Sequence, residues 1–134
     1  MNPIARINPT TLPDAASAGY AQISVVPPGP LAFVSGQVAW RRMGGAKPGT
    51  LSEQTDTVIE NLSAALEALA ARPSDIVQLR IYLTDLRAET QDIVMGKLAA
   101  FLDGTLPSLT GVGVVNLAAP DLQIEIEMVV RIPD

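Results

Sequence analysis

The sequence predicts a single-domain α+β protein: one mixed sheet of five to six strands with two helices packed on one face. Three observations carry this reading. The chain has 134 residues, the size of one domain. Its apolar residues recur every second position in some segments and at helical spacing in others, ordered as two or three strands, a helix, a strand, a helix and two strands. Only two segments carry the helical repeat, and two helices cover only one face of such a sheet. The other face must then meet solvent or another subunit. Residues 1–134 read as one domain, with 1–15 as an N-terminal arm.

The elements follow in order. Tyr20 to Val26 has strand character, Pro27-Pro28-Gly29-Pro30 is a turn signal, and Leu31 to Val38 resumes as strand, so the two runs suggest a hairpin. Gly44 to Gly49 is a loop. Thr50 with Glu53 three residues later matches a capping box. Leu51, Val58, Ile59, Leu62, Ala65, Leu66 and Leu69 then repeat as a helix, and Pro73 lies past its end. Asp75 to Thr84 alternates as a strand, with Val77, Leu79, Ile81 and Leu83 pointing one way. A second helix runs from about Arg87 to Leu102 with Ile93, Val94, Leu98, Phe101 and Leu102 on its stripe; Asp103-Gly104 closes it. Thr110 to Leu117 is strand again, interrupted by Gly111 and Gly113. Leu122 to Ile132 is the clearest strand, with Ile124, Ile126, Met128, Val130 and Ile132 on one face.

Composition excludes several chemistries. The chain has no Cys and no His, so disulfides, thiolate nucleophiles, thiolate or imidazole metal sites and Ser-His-Asp or Cys-His catalysis are ruled out. Acid–base chemistry must use a carboxylate, a Lys, a Tyr or a positioned water. The formal net charge is −5 and Arg41-Arg42 is the only basic pair, which argues against a nucleic-acid or anionic-membrane partner. Met1 to Arg6 lacks a signal-peptide core, and no apolar run approaches the roughly 20 residues of a membrane helix. The expectation is a cytoplasmic protein without a cofactor or metal. An apolar fraction of 48% suggests surface hidden in an oligomer as well as in a core.

Few residues remain to carry chemistry. Gln123, Glu125 and Glu127 alternate with apolar residues on the last strand. They read either as an ordinary solvated face or as carboxylates in a partly dry inter-subunit cleft, where one could orient or activate a water. Gly111 and Gly113 mark either a bulge or room for a ligand or a tight contact. Ser35-Gly36-Gln37 is a weak signal by itself. Tyr20 is either a rim aromatic or a core residue. Trp40, beside Arg41 and Arg42, reads as a loop-packing residue in preference to an exposed binding edge.

Taken in order, several segments resemble motifs of the RidA/YjgF family. Ala18-Gly19-Tyr20-Ala21-Gln22 resembles its G-P-Y-x-Q motif, and Phe33-Val34-Ser35-Gly36-Gln37-Val38 its V-x-S-G-Q-I/L strand. Gln54-Thr55 through Asn61-Leu62 and Leu66-Glu67-Ala68 follow the pattern Q-T…N-L…L-E-A. Asp75-Ile76-Val77, Tyr82 to Leu86, Pro107 and Ile124-Glu125-Ile126-Glu127 complete the set, which spans about residues 15 to 132. The resemblance implies a chorismate-mutase-like α+β fold and a homotrimer with three small-molecule clefts between subunits. Active family members hydrolyse reactive enamines and imines made by pyridoxal-phosphate enzymes, using an Arg two positions after a Pro to grip the substrate carboxylate. Here that segment reads Pro107-Ser108-Leu109-Thr110-Gly111: Leu109 stands at the Arg position and Gly111 where the family has Cys.

A neutral Leu cannot neutralise a carboxylate, so the resemblance implies weak or absent 2-imino-acid deaminase activity. Arg41, Arg42 and Arg80 are the candidates for a substitute charge. Tyr20, Ser35 and Glu125 match residues that line the family's cleft, with Glu125 at the position that helps hold the reactive water. Glu125 is thus the candidate catalytic residue, and Tyr20, Ser35, Leu109, Thr110 and Gly111 are candidate ligand-binding residues. Two hypotheses stand: a cofactor-free hydrolase of a small imine or enamine, with backbone N–H groups near Gly111 polarising the substrate, or a non-catalytic small-molecule-binding or regulatory trimer. A ribonuclease or translation inhibitor, a label the family often carries, fits poorly with an acidic chain that has no His.

Overall fold

The computed structural model describes residues 3–134. Along the chain run β1 (Ala5–Ile7), β2 (Ile23–Val25), β3 (Leu31–Gln37), α1 (Leu51–Ala68), β4 (Ile76–Leu83), α2 (Ala88–Leu102), β5 (Ser108–Gly113) and β6 (Ile124–Arg131). The main sheet has the order β3-β6-β4-β5. Strand β6 is antiparallel to both of its neighbours, whereas β4 and β5 are parallel and joined through α2. Both helices pack on one face of this mixed sheet.

Alternation builds the core. Leu79, Ile81 and Leu83 of β4 and Ile124, Ile126, Met128 and Val130 of β6 bury against Val58, Leu62 and Leu66 of α1 and Val94, Leu98 and Leu102 of α2. Each fully buried Leu or Ile contributes roughly 1.5–3 kcal/mol relative to exposure. Helix α1 starts where the capping box says it should: the Glu53 N–H donates to Thr50 Oγ1 at 3.1 Å. Helix α2 ends at Asp103, which takes the left-handed conformation at φ 47°, followed by Gly104 at φ 86°.

The strands are partitioned differently from the expected single sheet of five to six. The main sheet has four, and β1 and β2 form a separate two-stranded ribbon. The expected hairpin between Tyr20–Val26 and Leu31–Val38 is not made: β2 pairs with β1, and β3 with β6. Three prolines between them supply no N–H for a hairpin ladder. The buried Arg131 guanidinium instead takes the carbonyls of Pro27 at 3.2 Å and Pro28 at 2.7 Å. The expected N-terminal arm contains β1, whose Arg6 donates to the carbonyls of Ile76 at 2.5 Å and Val77 at 3.3 Å.

Two further details differ. The register between β4 and β6 shifts between Ile76 and Gln78, so Ile76 and not Val77 is the buried residue at that end. Strand β5 pairs with β4 in continuous register from Ser108 to Gly113, so its glycines mark no bulge. A side chain at Gly113 would come within 3.2 Å of Leu86 Cβ, a close approach, whereas Gly111 faces open space.

The face away from the helices, called the open face below, carries Leu31, Phe33 and Ser35 of β3, Gln78, Arg80 and Tyr82 of β4, and Glu125, Glu127 and Val129 of β6. Phe33 is 77% exposed there.

Candidate functional site

Alternation along the strands divides the candidate residues into two groups. Leu109 is paired with Leu79 and packs with the core on the helix side of β5. Gly111, two residues on, is on the same side. Together with Tyr20 they line a hollow of 210 Å³ at the β5 edge, closed by Leu86 and by Gln91 and Met95 of α2. The space left by Gly111 on the edge strand β5 opens this hollow. Its lining holds no charged residue, and the Tyr20 hydroxyl and Gln91 amide are its only polar side chains.

The second group is on the open face. Glu125 is paired across β6 and β4 with Tyr82. Its carboxylate rests over Gly36, where any Cβ would collide with it. A side chain at position 36 would therefore displace the Glu125 carboxylate, and Ser35 beside it is exposed in the irregular stretch between Val34 and Gln37. Thr110 also belongs here, paired with Arg80 and exposed. The structure thus brings together Tyr20, Leu109 and Gly111 on one side of the sheet and Ser35, Thr110 and Glu125 on the other. Within one chain they do not form one cavity.

Electrostatics on the open face centre on Tyr82. Its phenol donates a short hydrogen bond to Glu127. That bond raises the Tyr82 pKa above the usual tyrosine value, with burial and the Glu127 charge adding and Arg80 opposing. The candidate substitute charges lie elsewhere than the hollow. Arg41 is engaged by Glu60 at 3.4 Å and Thr57 at 3.2 Å. Arg80 is exposed on the open face. Neither these nor Arg42 lines the hollow. Among the described residues no group of three acidic, His or Cys side chains could hold a metal ion. No helix there is long and apolar enough to cross a membrane.

Gln91 and Met95 were not among the expected site residues, although their spacing of four places them on one helix face next to Val94. Trp40, expected to pack under a loop, is 49% exposed and lines a separate, larger cavity.

Comparison with known proteins agrees with this architecture. The family model described as Endoribonuclease L-PSP matches residues 11–132. The RutC family protein YjgH of Escherichia coli (strain K12) is 36% identical over 106 residues, covering 79% of each chain. Among solved structures, a Rid-family protein of unknown function, YyfB from Yersinia pestis, superposes with a TM-score of 0.90 at 31% identity, over 97% of this chain and 99% of that one. A putative endoribonuclease from Thermotoga maritima gives 0.69 at 31% identity, over 84% and 85% of the two chains. Sequence, sheet order and these likenesses agree that the chain belongs to the Rid/YjgF family, the group described by the Endoribonuclease L-PSP model.

Proposed function

We propose that this protein is a homotrimer that binds a small neutral or apolar molecule in clefts between its subunits and hydrolyses an uncharged imine or enamine there. The observation that carries the ligand class is the uncharged lining of the hollow at Leu109. Where a cation would grip a substrate carboxylate, this chain offers a Leu packed among core side chains. The split of the candidate residues between two faces supports a shared cleft. The hollow of one copy would meet the Ser35, Gly36 and Glu125 corner of the next.

In such a cleft the Glu125 carboxylate accepts a proton from water as its oxygen adds to the imine carbon. Glu125 returns that proton to nitrogen, giving a carbinolamine, and the hydroxyl proton then follows to nitrogen as the C–N bond breaks, so that a carbonyl compound and an amine leave. No metal or redox partner is needed for this balance. A second reading, a non-catalytic binding or regulatory trimer, is favoured by the same Leu109. A nuclease reading finds no support in an acidic chain without His.

The test is loss of imine absorbance with purified protein, using 2-imino acids and an uncharged imine. The wild type should turn over the uncharged imine and leave 2-imino acids untouched. Leu109→Arg should gain activity on 2-imino acids by roughly 30-fold or more, the equivalent of a charge pair of at least about 2 kcal/mol. Glu125→Gln should lower turnover by about 100-fold or more. Turnover of 2-imino acids by the wild type would contradict the neutral-ligand reading. An inert wild type whose ligand binding survives Glu125→Gln would establish the binding module instead.

A further inference from the structure

A cavity of 700 Å³ lies between the loop that follows Trp40 and the loop that joins β5 to β6. That volume is within the range of small-molecule sites, about 300–1,000 Å³. Its lining includes Thr84, just past the end of β4, and Gln123, just before the start of β6.

The walls are held in place by named bonds. Gln54, fully buried, donates through Nε2 to the carbonyls of Pro48 at 3.0 Å and Asp121 at 2.8 Å, one in each wall. Its Oε1 accepts the Gln123 N–H at 2.9 Å. Gln123 in turn donates through Nε2 to the Gly49 carbonyl at 3.0 Å. The Trp40 carbonyl accepts from Asn61 Nδ2 at 2.9 Å, and the Trp40 N–H donates to the Val38 carbonyl at 2.8 Å. The half-exposed indole is therefore an aromatic wall on a fixed main chain.

The chemistry of the lining selects a ligand. Its two charged residues, Lys47 and Asp121, are of opposite sign, so the cavity has no net charge to attract an ion. Neither is in a salt bridge among the described residues. Asn116 and Thr84 add neutral groups that donate and accept hydrogen bonds. An indole face favours a planar ring stacked with an offset.

We infer that this cavity binds a neutral planar heteroaromatic ring, stacked on Trp40 and hydrogen-bonded at its edge by Asn116 and Thr84. The inference goes beyond the proposed function: binding of the ring stands on the cavity alone.

Trp40 is the chain's single tryptophan, so its fluorescence reads occupancy directly. The probes are nicotinamide, benzoate and acetamide. Nicotinamide should quench Trp40 saturably, acetamide should leave it unchanged, and benzoate should bind at least about tenfold more weakly. Asn116→Ala should weaken nicotinamide binding about fivefold, the loss of one hydrogen bond. In Trp40→Leu, calorimetry should find nicotinamide binding lost. Quenching that rises linearly without saturation, as for a free tryptophan amide, would overturn the inference. So would benzoate binding as tightly as nicotinamide, or binding retained in Trp40→Leu. Imine turnover without saturable quenching overturns this inference alone. Saturable quenching without imine turnover leaves it standing and removes the hydrolase reading.

Discussion

Tyr82 shows how one side chain ties the open face to pH. Its phenol hydrogen-bonds to Glu127, and this bond is the main reason its pKa is raised. A raised pKa means that the folded protein holds the phenolic proton more tightly than the unfolded chain does. The contribution to stability is fully present below the ordinary tyrosine value of about 10 and is lost as pH rises through the higher folded value. The thermal unfolding midpoint of the wild type should therefore fall across the alkaline range, and Tyr82→Phe should show a shallower fall. Phenolate absorbance followed in both proteins assigns the difference, because the variant retains only Tyr20. Equal alkaline slopes in the two proteins would mean that the Tyr82–Glu127 bond contributes nothing in solution. Glu125, the cross-strand partner of Tyr82, rests its carboxylate in the space left by Gly36.

At the scale of elements, the first turn of α1 does two jobs. Thr50 caps the helix, and its replacement by Ala should cost about 1 kcal/mol in chemical denaturation. Gln54, one turn on, ties together the walls of the large cavity and the start of β6. Gln54→Ala leaves the Gln123 N–H and two carbonyls without their partner, so it should cost at least about 2 kcal/mol, more than the cap. If Gln54→Ala were the milder change, the loops would be held by something other than this amide. The difference between these residues also shows what the sequence makes legible. Thr50 and Glu53 are three apart, and their pairing is visible as spacing. Gln54 reaches Asp121 across 67 residues, and nothing local announces it. Likewise the alternation of Ile124, Ile126, Met128 and Val130 predicts β6, while the shift that buries Ile76 in place of Val77 depends on its partner strand. Motif likeness located the candidate site residues but not their sides. Leu109 and Thr110 are adjacent on a strand and so face opposite ways.

For the whole molecule, the open face is the unfinished part of the fold. The helices cover one side of the sheet, and the other presents Leu31 at 42% and Phe33 at 77% exposure beside Val129. A large aromatic side chain left in water forgoes roughly 1.5–3 kcal/mol of burial, and a trimer would recover that three times over. A charge placed at the same point must instead be desolvated against an apolar neighbour. Phe33→Asp should therefore convert the proposed trimer to monomers in light scattering. Phe33 contributes little to the monomer's own core, so the far-ultraviolet circular dichroism should stay that of the wild type. The same variant should lose imine turnover, because Tyr20, Leu109 and Gly111 would no longer face a neighbour's Glu125. Nicotinamide quenching of Trp40 should persist, because Gln54 holds that cavity within one chain. A monomeric wild type would remove the shared cleft and leave the Trp40 cavity as the protein's binding site. A variant that stays trimeric would place the contact between subunits on a surface other than this face.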